Sequence, residues 1–295
     1  MRTWNVRPKK PWSYVYAAAA VLLASGLAAG SSCAPALNYV EPDRPRYVGH
    51  FAKPDADGVF RVVTFNVKFA REVDRAARLL REHEELRDAD VVALQEMDAE
   101  GTERIARALG MDFVYYPAIR HPASDRDFGN AILSRWPLSD DRKLVLPYLS
   151  RFRDMQRIAV SATAATPLGA LRVYSVHLET PGGIAAVNRQ RQAAAVIRDA
   201  ERYPRVVVAG DFNSGAVGEI FEWYGFRWVT RDLGNTISFF AWDHVFVRGL
   251  QVVSKRAGIV RDNQGASDHL PVWAVLDLLP SGGQVVNDGQ PPARR

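Results

Sequence analysis

The sequence contains a single cysteine, Cys33, among 295 residues. A lone cysteine excludes an internal disulfide framework and a zinc cluster built from thiolates. The chain also lacks an H-E-x-x-H pair, a G-x-S-x-G nucleophile elbow and a glycine-rich phosphate loop. These absences argue against a zinc peptidase, a serine hydrolase and a P-loop or dinucleotide-binding domain. No internal repeat is visible either, which argues against a solenoid or a propeller.

An excess of one charge sign is missing from the middle of the chain. The formal net charge is +5, but residues 59–279 carry 29 Lys/Arg against 28 Asp/Glu. The basic excess comes mostly from the two ends of the chain. Residues 1–58 carry seven Lys/Arg against four Asp/Glu, and residues 280–295 carry two against one. The net charge therefore says little about binding to nucleic acid.

The N-terminal segment has the pattern of a targeting sequence. Basic residues precede an apolar, alanine-rich stretch from Trp12 to Ala29, and small residues follow. We expect residues 1–33 to be a secretory signal or an uncleaved membrane anchor, so that the protein is exported or held at a membrane. Lipid attachment at Cys33 is a weaker alternative, because Gly30 stands where bacterial lipoproteins usually have leucine.

Between the flanks, strand-like and helix-like segments alternate. Residues 34–58 are predicted to be a linker and residues 280–295 a disordered tail. Apolar periodicity predicts helices over residues 73–85, 102–109 and 184–201. The strand-like runs are "FRVVTFNV", "DVVALQE", "GNAILSR", "RIAVSATA", "LRVYSVHL", "RVVVAGDF", "DHVFV" and "PVWAVLDL". This alternation predicts one layered α/β domain over residues 59–279.

Polar residues stand at the ends of many of these apolar runs. Asp211 and Asn213 directly follow "VVVAG", and their spacing of two puts them on one side of an extended chain. The other residues at such ends are Asn66, Glu96, His177, Asp243, Asp268 and His269. A carboxylate at the edge of a core is costly unless it is paired or binds a metal. These ends are therefore expected to converge on one site.

The residue types indicate the chemistry of that site. Asp, Glu and Asn oxygens suit Mg²⁺, with Mn²⁺ or Ca²⁺ as alternatives. With a carboxylate to activate water and two histidines to bind or protonate an anion, the set favours metal-assisted hydrolysis of a phosphate ester.

Taken in order, the motifs resemble one family. "TFN", "LQE", "GNAILSRWPL", "VHL", "GDFN", "WDHVFV" and "SDHLPV" are similar to the endonuclease/exonuclease/phosphatase superfamily. It includes deoxyribonucleases, abasic-site endonucleases, sphingomyelinases and inositol polyphosphate 5-phosphatases. The resemblance implies a four-layer α/β/β/α sandwich, with two mainly antiparallel β-sheets face to face and helices outside.

The resemblance also implies roles for individual residues. Glu96 is expected to be the main metal ligand, with Asn66 beside it and Asp268 at the same metal site. Asp211 would orient or deprotonate the attacking water, and Asn213 would hold the phosphate. His269 would contact the phosphate while Asp243 fixes its tautomer, and His177 would lie near the leaving group. Asn130 and Arg157 fall in motifs whose role varies, and we expect them to bind substrate.

Some of these residues also have a purely structural interpretation. Asn66 is explained equally well as satisfying backbone groups at a strand end, and a lone His177 as a core histidine. The combined pattern, rather than any one residue, favours an active site.

Two basic segments and two aromatic clusters bear on the substrate. Two segments supply a basic, partly aromatic rim for nucleic acid, one with Arg120 and Arg126, the other with Arg151 and Arg153. The aromatic clusters "EWYGFRW" and "SFFAW" are expected to pack in the core, which weighs against a lipid substrate. We therefore predict an exported, monomeric nuclease without an obligate protein partner. A lipid phosphodiesterase or a small-molecule phosphatase is the alternative, and a non-catalytic binding module is less favoured.

Overall fold

The computed structural model describes residues 35–54, 60–167, 169–250 and 256–276. The predicted signal sequence or anchor over residues 1–33 and the predicted tail over residues 280–295 lie outside these ranges. Within them, no helix combines the length and the apolar character needed to cross a membrane.

The described residues form strands and helices in the following order. The strands are β1 (Leu37–Asn38), β2 (Tyr47–Gly49), β3 (Phe60–Asn66), β4 (Val91–Met97), β5 (Asp112–His121), β6 (Arg126–Ser134), β7 (Leu138–Val145), β8 (Ile158–Thr166), β9 (Gly169–His177), β10 (Val206–Asp211), β11 (Arg227–Trp228), β12 (Asp243–Arg248), β13 (Ala257–Ile259) and β14 (Val272–Leu276). The helices are α1 (Val73–Glu82), α2 (Ala99–Leu109), α3 (Ala186–Ala200) and α4 (Val217–Trp223).

The strands build two sheets. The larger has the order β1-β5-β6-β4-β3-β14-β13, with β2 also paired with β5, and the smaller has the order β11-β12-β10-β9-β8-β7. In the described part, β3 runs parallel to β4 and β9 runs parallel to β10, while the other paired neighbours are antiparallel. The prediction of two mainly antiparallel sheets is confirmed.

Alternation along the strands produces the layers. Val62 of β3 packs in the cluster between the sheets, together with Val173 and Val207 of the smaller sheet. Its neighbour Val63 points the other way and packs with residues of α1 and α2. A third cluster joins the outer face of the smaller sheet to α3 and α4. Because both faces are covered, the strands read as continuous apolar runs.

Helix α2 shows how a local signal extends a predicted boundary. The apolar spacing predicted a start at Thr102, but the helix begins at Ala99 because the Asp98 side chain caps it, accepting a hydrogen bond from the Gly101 amide. The helix ends where Gly110 adopts the left-handed conformation.

Part of the segment predicted to be a linker is folded into the larger sheet. β1 and β2 both pair with β5. The Lys143 ammonium, which is buried, donates hydrogen bonds to the carbonyls of Tyr39 and Arg44 at 2.7 and 2.9 Å. Strands of two or three residues are too short to show an apolar periodicity in the sequence. They are held in place by contacts with residues far along the chain.

The two aromatic clusters are only partly in the core. Phe226 and Trp242 are buried, as expected. Trp223, however, is 86% exposed and Phe239 is 82% exposed. The expectation that both clusters pack inside is therefore wrong for these two rings, because Trp223 lies at the end of α4 and Phe239 in a tight turn between Ile237 and Phe240.

Candidate active site

Three strands of the smaller sheet bring polar residues into one row. Asp211 at the end of β10 is in register with His177 of β9 on one side and with Asp243 of β12 on the other. Gly210 makes this close approach possible, since a Cβ there would lie 2.0 Å from the carbonyl oxygen of Val176. The strand ends predicted from the sequence therefore do converge.

The larger sheet contributes Asn66 and Glu96. Glu96 lies where the pairing of β4 with β6 shifts register and has a positive φ of 60°, which turns its side chain away from the regular alternation. The Asn66 amide donates one hydrogen bond to Glu96 Oε1 at 3.1 Å and another to Asp211 Oδ2 at 3.0 Å. One amide thus joins carboxylates from the two sheets.

His269 completes the group from the loop before β14. Its Nδ1 lies 2.9 Å from Asp243 Oδ2, and its Nε2 lies 3.7 Å from Asp211 Oδ2. Burial lowers the pKa of His269, but the adjacent carboxylates of Asp243 and Asp211 outweigh burial and raise it to about 10. His269 is therefore a cation at neutral pH, held in one orientation by Asp243.

Asp211 lies in the middle of this group and is 1% exposed. Burial raises the pKa of Asp211 to about 7, although the positive charge of His269 acts in the opposite direction. Its Oδ1 accepts a hydrogen bond from the Asn213 amide at 2.8 Å. A carboxylate with a pKa near neutrality suits proton transfer to and from water.

A second network surrounds His177. Nη1 of Arg157 lies 3.3 Å from both ring nitrogens of His177, and Nε of Arg157 donates to Glu179 Oε2 at 3.0 Å. All three side chains are buried. Burial lowers the pKa of His177 well below its usual range, and the charges of Arg157 and His269 act in the same direction. His177 is therefore neutral, 3.6 Å from Asp211 Oδ2.

Glu179 was not identified from the sequence. It follows "VHL" directly, and the signal that would have revealed it is the charge of Arg157, because a buried guanidinium needs a carboxylate partner. Arg157 itself was expected to bind substrate, and the structure places it in this buried network beside His177.

The other predicted site residues occupy different positions. Asn213 is buried and donates its amide to the Leu178 carbonyl at 3.0 Å, so one of its two N–H groups is committed to the backbone. Asp268 lies at the rim, where Oδ2 is 2.9 Å from Lys68 Nζ. Asn130 is buried between the sheets and donates to the carbonyls of Ile158 and Ser175, both at 3.1 Å.

The predicted arginine rim divides into paired and unpaired residues. Arg120 forms an ion pair with Asp125 at 2.7 Å, and Arg126 forms one with Asp98. Across the described ranges, neither Arg151 nor Arg153 has a carboxylate partner. These two side chains keep their charge available for an anion.

The donor set fits a hard divalent cation. Ligand atoms of Asp211, Asp243 and His269 lie within 4.8 Å of one another. Asn66 and Glu96 adjoin the same group through the hydrogen bonds of the Asn66 amide. The carboxylate oxygens of this group suit magnesium or manganese better than a soft metal, whereas the protonated His269 has no lone pair for a cation.

A sandwich of two sheets whose edge carries this group defines a class of hydrolases that act on phosphate esters. The chain belongs to the Endonuclease/Exonuclease/phosphatase family, which it matches over residues 63–269. Among curated proteins, none matches the chain.

Solved structures of this family share the fold. An endonuclease/exonuclease/phosphatase from Beutenbergia cavernae is 22% identical, with a TM-score of 0.61 over 74% of this chain and 71% of that one. TDP2 of D. rerio, solved with a single-strand DNA product, is 18% identical, with a TM-score of 0.58 over 75% and 99%. The human Nocturnin catalytic domain, with a bound sulfate, is 16% identical, with a TM-score of 0.55 over 78% and 97%.

Proposed function

We propose that this protein is a divalent-metal-dependent phosphodiesterase that cleaves nucleic acid outside the cytoplasm. The proposal rests on one arrangement. The Asn66 amide donates hydrogen bonds to both Glu96 and Asp211, and Asp211 lies beside the His269–Asp243 pair. Because a carboxylate of neutral pKa, a fixed imidazolium and oxygen ligands meet there, the site supports hydrolysis of an anionic ester.

Each residue has a role that follows from its surroundings. Asp211 accepts the proton of the attacking water, since burial keeps its pKa near 7. His269 stabilises negative charge on the phosphate through Nε2, while Asp243 holds Nδ1. The neutral His177 lies beside Asp211 and is held by Arg157, so its position suits a hydrogen bond to the leaving oxygen.

Glu96 and Asn66 would hold the metal, with Asp268 at the rim, whereas the imidazolium of His269 has no lone pair for a cation. When bound, the cation neutralises the charge of the phosphate and strengthens its polarisation. The Lys68 ammonium already balances Asp268, so Asp268 must exchange this partner before it binds a cation.

Nucleic acid is the substrate that the unpaired charges favour. Arg151 is exposed and Arg153 is half-exposed, and a polymer of phosphates makes use of such cations through release of its counterions. The single-strand DNA product held by D. rerio TDP2 supports this choice by analogy of fold.

The first experiment tests metal dependence and substrate class together. The full-length protein is assayed on DNA, RNA, sphingomyelin vesicles, inositol phosphates and a generic diester, with and without a chelator. We expect hydrolysis of nucleic acid that a chelator abolishes and magnesium restores. Full activity in the chelated protein contradicts the metal assignment, and no hydrolysis of any phosphodiester contradicts the proposed function.

A second experiment tests the arginine rim. Replacing Arg151 and Arg153 by Ala should weaken nucleic-acid binding for all sequences and lower its salt dependence, because fewer phosphates are neutralised. Cleavage of a small diester should stay nearly unchanged. Arg120→Ala is the matched control, since Arg120 is already paired with Asp125. Equal losses of nucleic-acid affinity in the control and in the double variant would contradict a specific role for Arg151 and Arg153.

Lipid phosphodiesterase activity is the second candidate, and the exposed rings of Trp223 and Phe239 favour it. Exposed aromatic side chains partition well into a membrane interface. If vesicles are hydrolysed faster than nucleic acid, and Trp223→Ala or Phe239→Ala selectively abolishes that reaction, the lipid function replaces the nuclease.

The location outside the cytoplasm rests on the basic and apolar N-terminal pattern. A reporter that is active only after export should be active when fused behind residues 1–58 and inactive behind residues 34–58. Reporter activity in the cytoplasm alone would contradict export. We further propose a monomer, which light scattering of the purified protein tests.

A further inference from the structure

A cluster of three rings lies beside the candidate active site, and the reaction does not use it. Phe69, His121 and Phe128 contact one another, with ring centroids 5.0 Å apart for Phe69 and His121 and 5.4 Å apart for Phe69 and Phe128. Phe128 is buried, whereas Phe69 and His121 are half-exposed. We call these three residues the aromatic platform.

The platform adjoins the catalytic residues directly. The Phe128 ring lies 5.8 Å from the His177 ring, and the Arg157 guanidinium lies 5.4 Å from the centre of Phe128. His177 in turn lies 3.6 Å from Asp211. A group stacked on the platform is therefore next to the reacting phosphate rather than at a distant surface.

The backbone holds Phe69 in an unusual conformation. Lys68, Phe69 and Ala70 have φ values of 38°, 57° and 48°, which non-glycine residues rarely adopt, least of all in succession. The Phe69 amide donates a hydrogen bond to Glu96 Oε2 at 3.0 Å. Strain of this kind persists where the surroundings fix it, and here the fixed loop presents a large ring at the edge of the site.

Positive charge surrounds the platform. The Arg71 guanidinium lies 5.2 Å from the centre of the Phe69 ring. Burial lowers the pKa of His121, and the charges of Arg157, Arg153 and Arg71 lower it further, so these guanidinium groups act on the same ring. In the described ranges neither Arg71 nor Arg153 has a carboxylate partner.

We propose that the aromatic platform stacks an unpaired base of the nucleotide next to the scissile phosphate, with Arg71 and Arg153 on the neighbouring phosphates. The substrate is then single-stranded nucleic acid, because a base inside a duplex is already stacked and paired. This inference rests on the proposed function and names the form of nucleic acid that the same site accepts. Stacking on exposed rings tolerates any base, so cleavage carries little sequence preference.

The test compares two ligands with the same phosphates. A fluorescein-labelled oligothymidylate and an abasic oligomer of equal length are bound to the full-length protein, in a chelator so that no cleavage occurs. Fluorescence anisotropy should show roughly tenfold tighter binding of the ligand that carries bases. A complementary duplex should bind more weakly than the single strand at the same salt concentration.

Variants separate the platform from general charge. Phe69→Leu and His121→Leu should each bring the ratio of the two affinities close to one, while Phe69→Tyr should keep it. Tyr47→Leu is the matched control, because Tyr47 is an exposed ring on β2 that packs at a tilt against Tyr115. Circular dichroism confirms folding, and the second leucine variant serves if the first fails to fold.

Several results would overturn the proposal. They are equal binding of the two oligomers by the wild-type protein, an unchanged ratio in both leucine variants, a preference for the duplex, and no binding at low salt. Loss of the base preference leaves phosphodiester hydrolysis intact, so the failure of this inference is distinguishable from the failure of the proposed function.

Discussion

Asp211 combines a buried environment with several hydrogen-bonding partners. It is 1% exposed, and its carboxylate contacts Asn66, the Asn213 amide and two histidines. A buried charge of this kind contributes little to the free energy of folding, because the cost of removing it from water offsets the gain from its hydrogen bonds and ion pairs. Its value is chemical rather than structural.

Asp211→Asn keeps the shape of the side chain and removes its basic oxygen. We expect turnover to fall at least ~10²-fold, because the proton acceptor is lost. The melting temperature should change little, since the remaining oxygen still accepts from the Asn213 amide and the loss of a buried charge offsets the loss of the bond from Asn66. A large loss of stability with retained turnover would indicate a structural role instead.

His244 offers a prediction about pH. Burial lowers the pKa of His244 to about 4, and its ring packs among Phe212, Trp228 and Phe246. The unfolded state therefore binds a proton near pH 6.5 while the folded state does not, so stability falls as the pH decreases from 6.5 to 4. The effect approaches about 3 kcal/mol at the acid end.

His244→Phe should remove this loss of stability at acid pH, because phenylalanine has no group that takes up a proton. The free energy of unfolding, measured by urea titration at several pH values, should lose a large part of its decline between pH 6.5 and 4. An unchanged slope in the variant would show that other groups cause the decline.

At the scale of elements, the segment of β1 and β2 depends on one side chain of β7. Lys143 donates hydrogen bonds to the carbonyls of Tyr39 and Arg44 and lies 3.4 Å from that of Pro117. The ammonium thereby fastens residues 39–44 to the body of the domain. The strands themselves are too short to hold by ladder hydrogen bonds alone.

Lys143→Met should cost about 2 kcal/mol of unfolding free energy, because the partly buried carbonyls of Tyr39 and Arg44 lose their donor. Amide hydrogen exchange should accelerate over residues 36–49 more than in the central strands. Arg81→Met is the control, since Arg81 pairs with Glu82 on an exposed helix face. Uniform acceleration across the domain would mean that this segment does not move on its own.

Local sequence patterns predicted some of these elements and site residues but not others. Asn66, His177 and Asp211 were predictable because each ends an apolar strand, and parallel neighbours bring such ends to one edge. Asp243 begins β12, which is antiparallel to β10, and it therefore lies at the same edge. Helices α1 and α3 followed from their spacing. The strands β1 and β2, the pairing of Glu179 with Arg157 and the exposure of Trp223 depend on residues far along the chain, which no local pattern contains.

At the scale of the whole molecule, polar side chains cross the apolar space between the sheets. Asn130 of the larger sheet donates to Ile158 and Ser175 of the smaller one. Gln95 donates to the Ser175 hydroxyl at 3.0 Å, and that hydroxyl donates to the Leu94 carbonyl at 2.9 Å. Such directional contacts fix how one sheet lies on the other, which apolar packing alone specifies less strictly.

Asn130→Leu should therefore reduce the free energy of unfolding by about 2 kcal/mol, because two hydrogen bonds between the sheets are lost. At temperatures where the variant is folded, its kcat/KM should stay within a few-fold of the wild type. Denaturation and steady-state kinetics on one preparation measure both. Normal stability with a large loss of kcat/KM would place Asn130 in contact with substrate, as the resemblance implies.

The order in which the chain visits the two sheets has a consequence in time. Residues 37–134 supply β1 to β6 of the larger sheet, residues 138–248 supply the smaller sheet, and β13 and β14 then return to pair beside β3. His269 lies in this last segment, between β13 and β14. A ribosome or a translocation channel releases the chain from its N-terminus, so Asn66, Glu96 and Asp211 all emerge before the imidazolium that completes them. The candidate site is therefore incomplete until the segment that carries His269 has emerged and β14 has paired with β3.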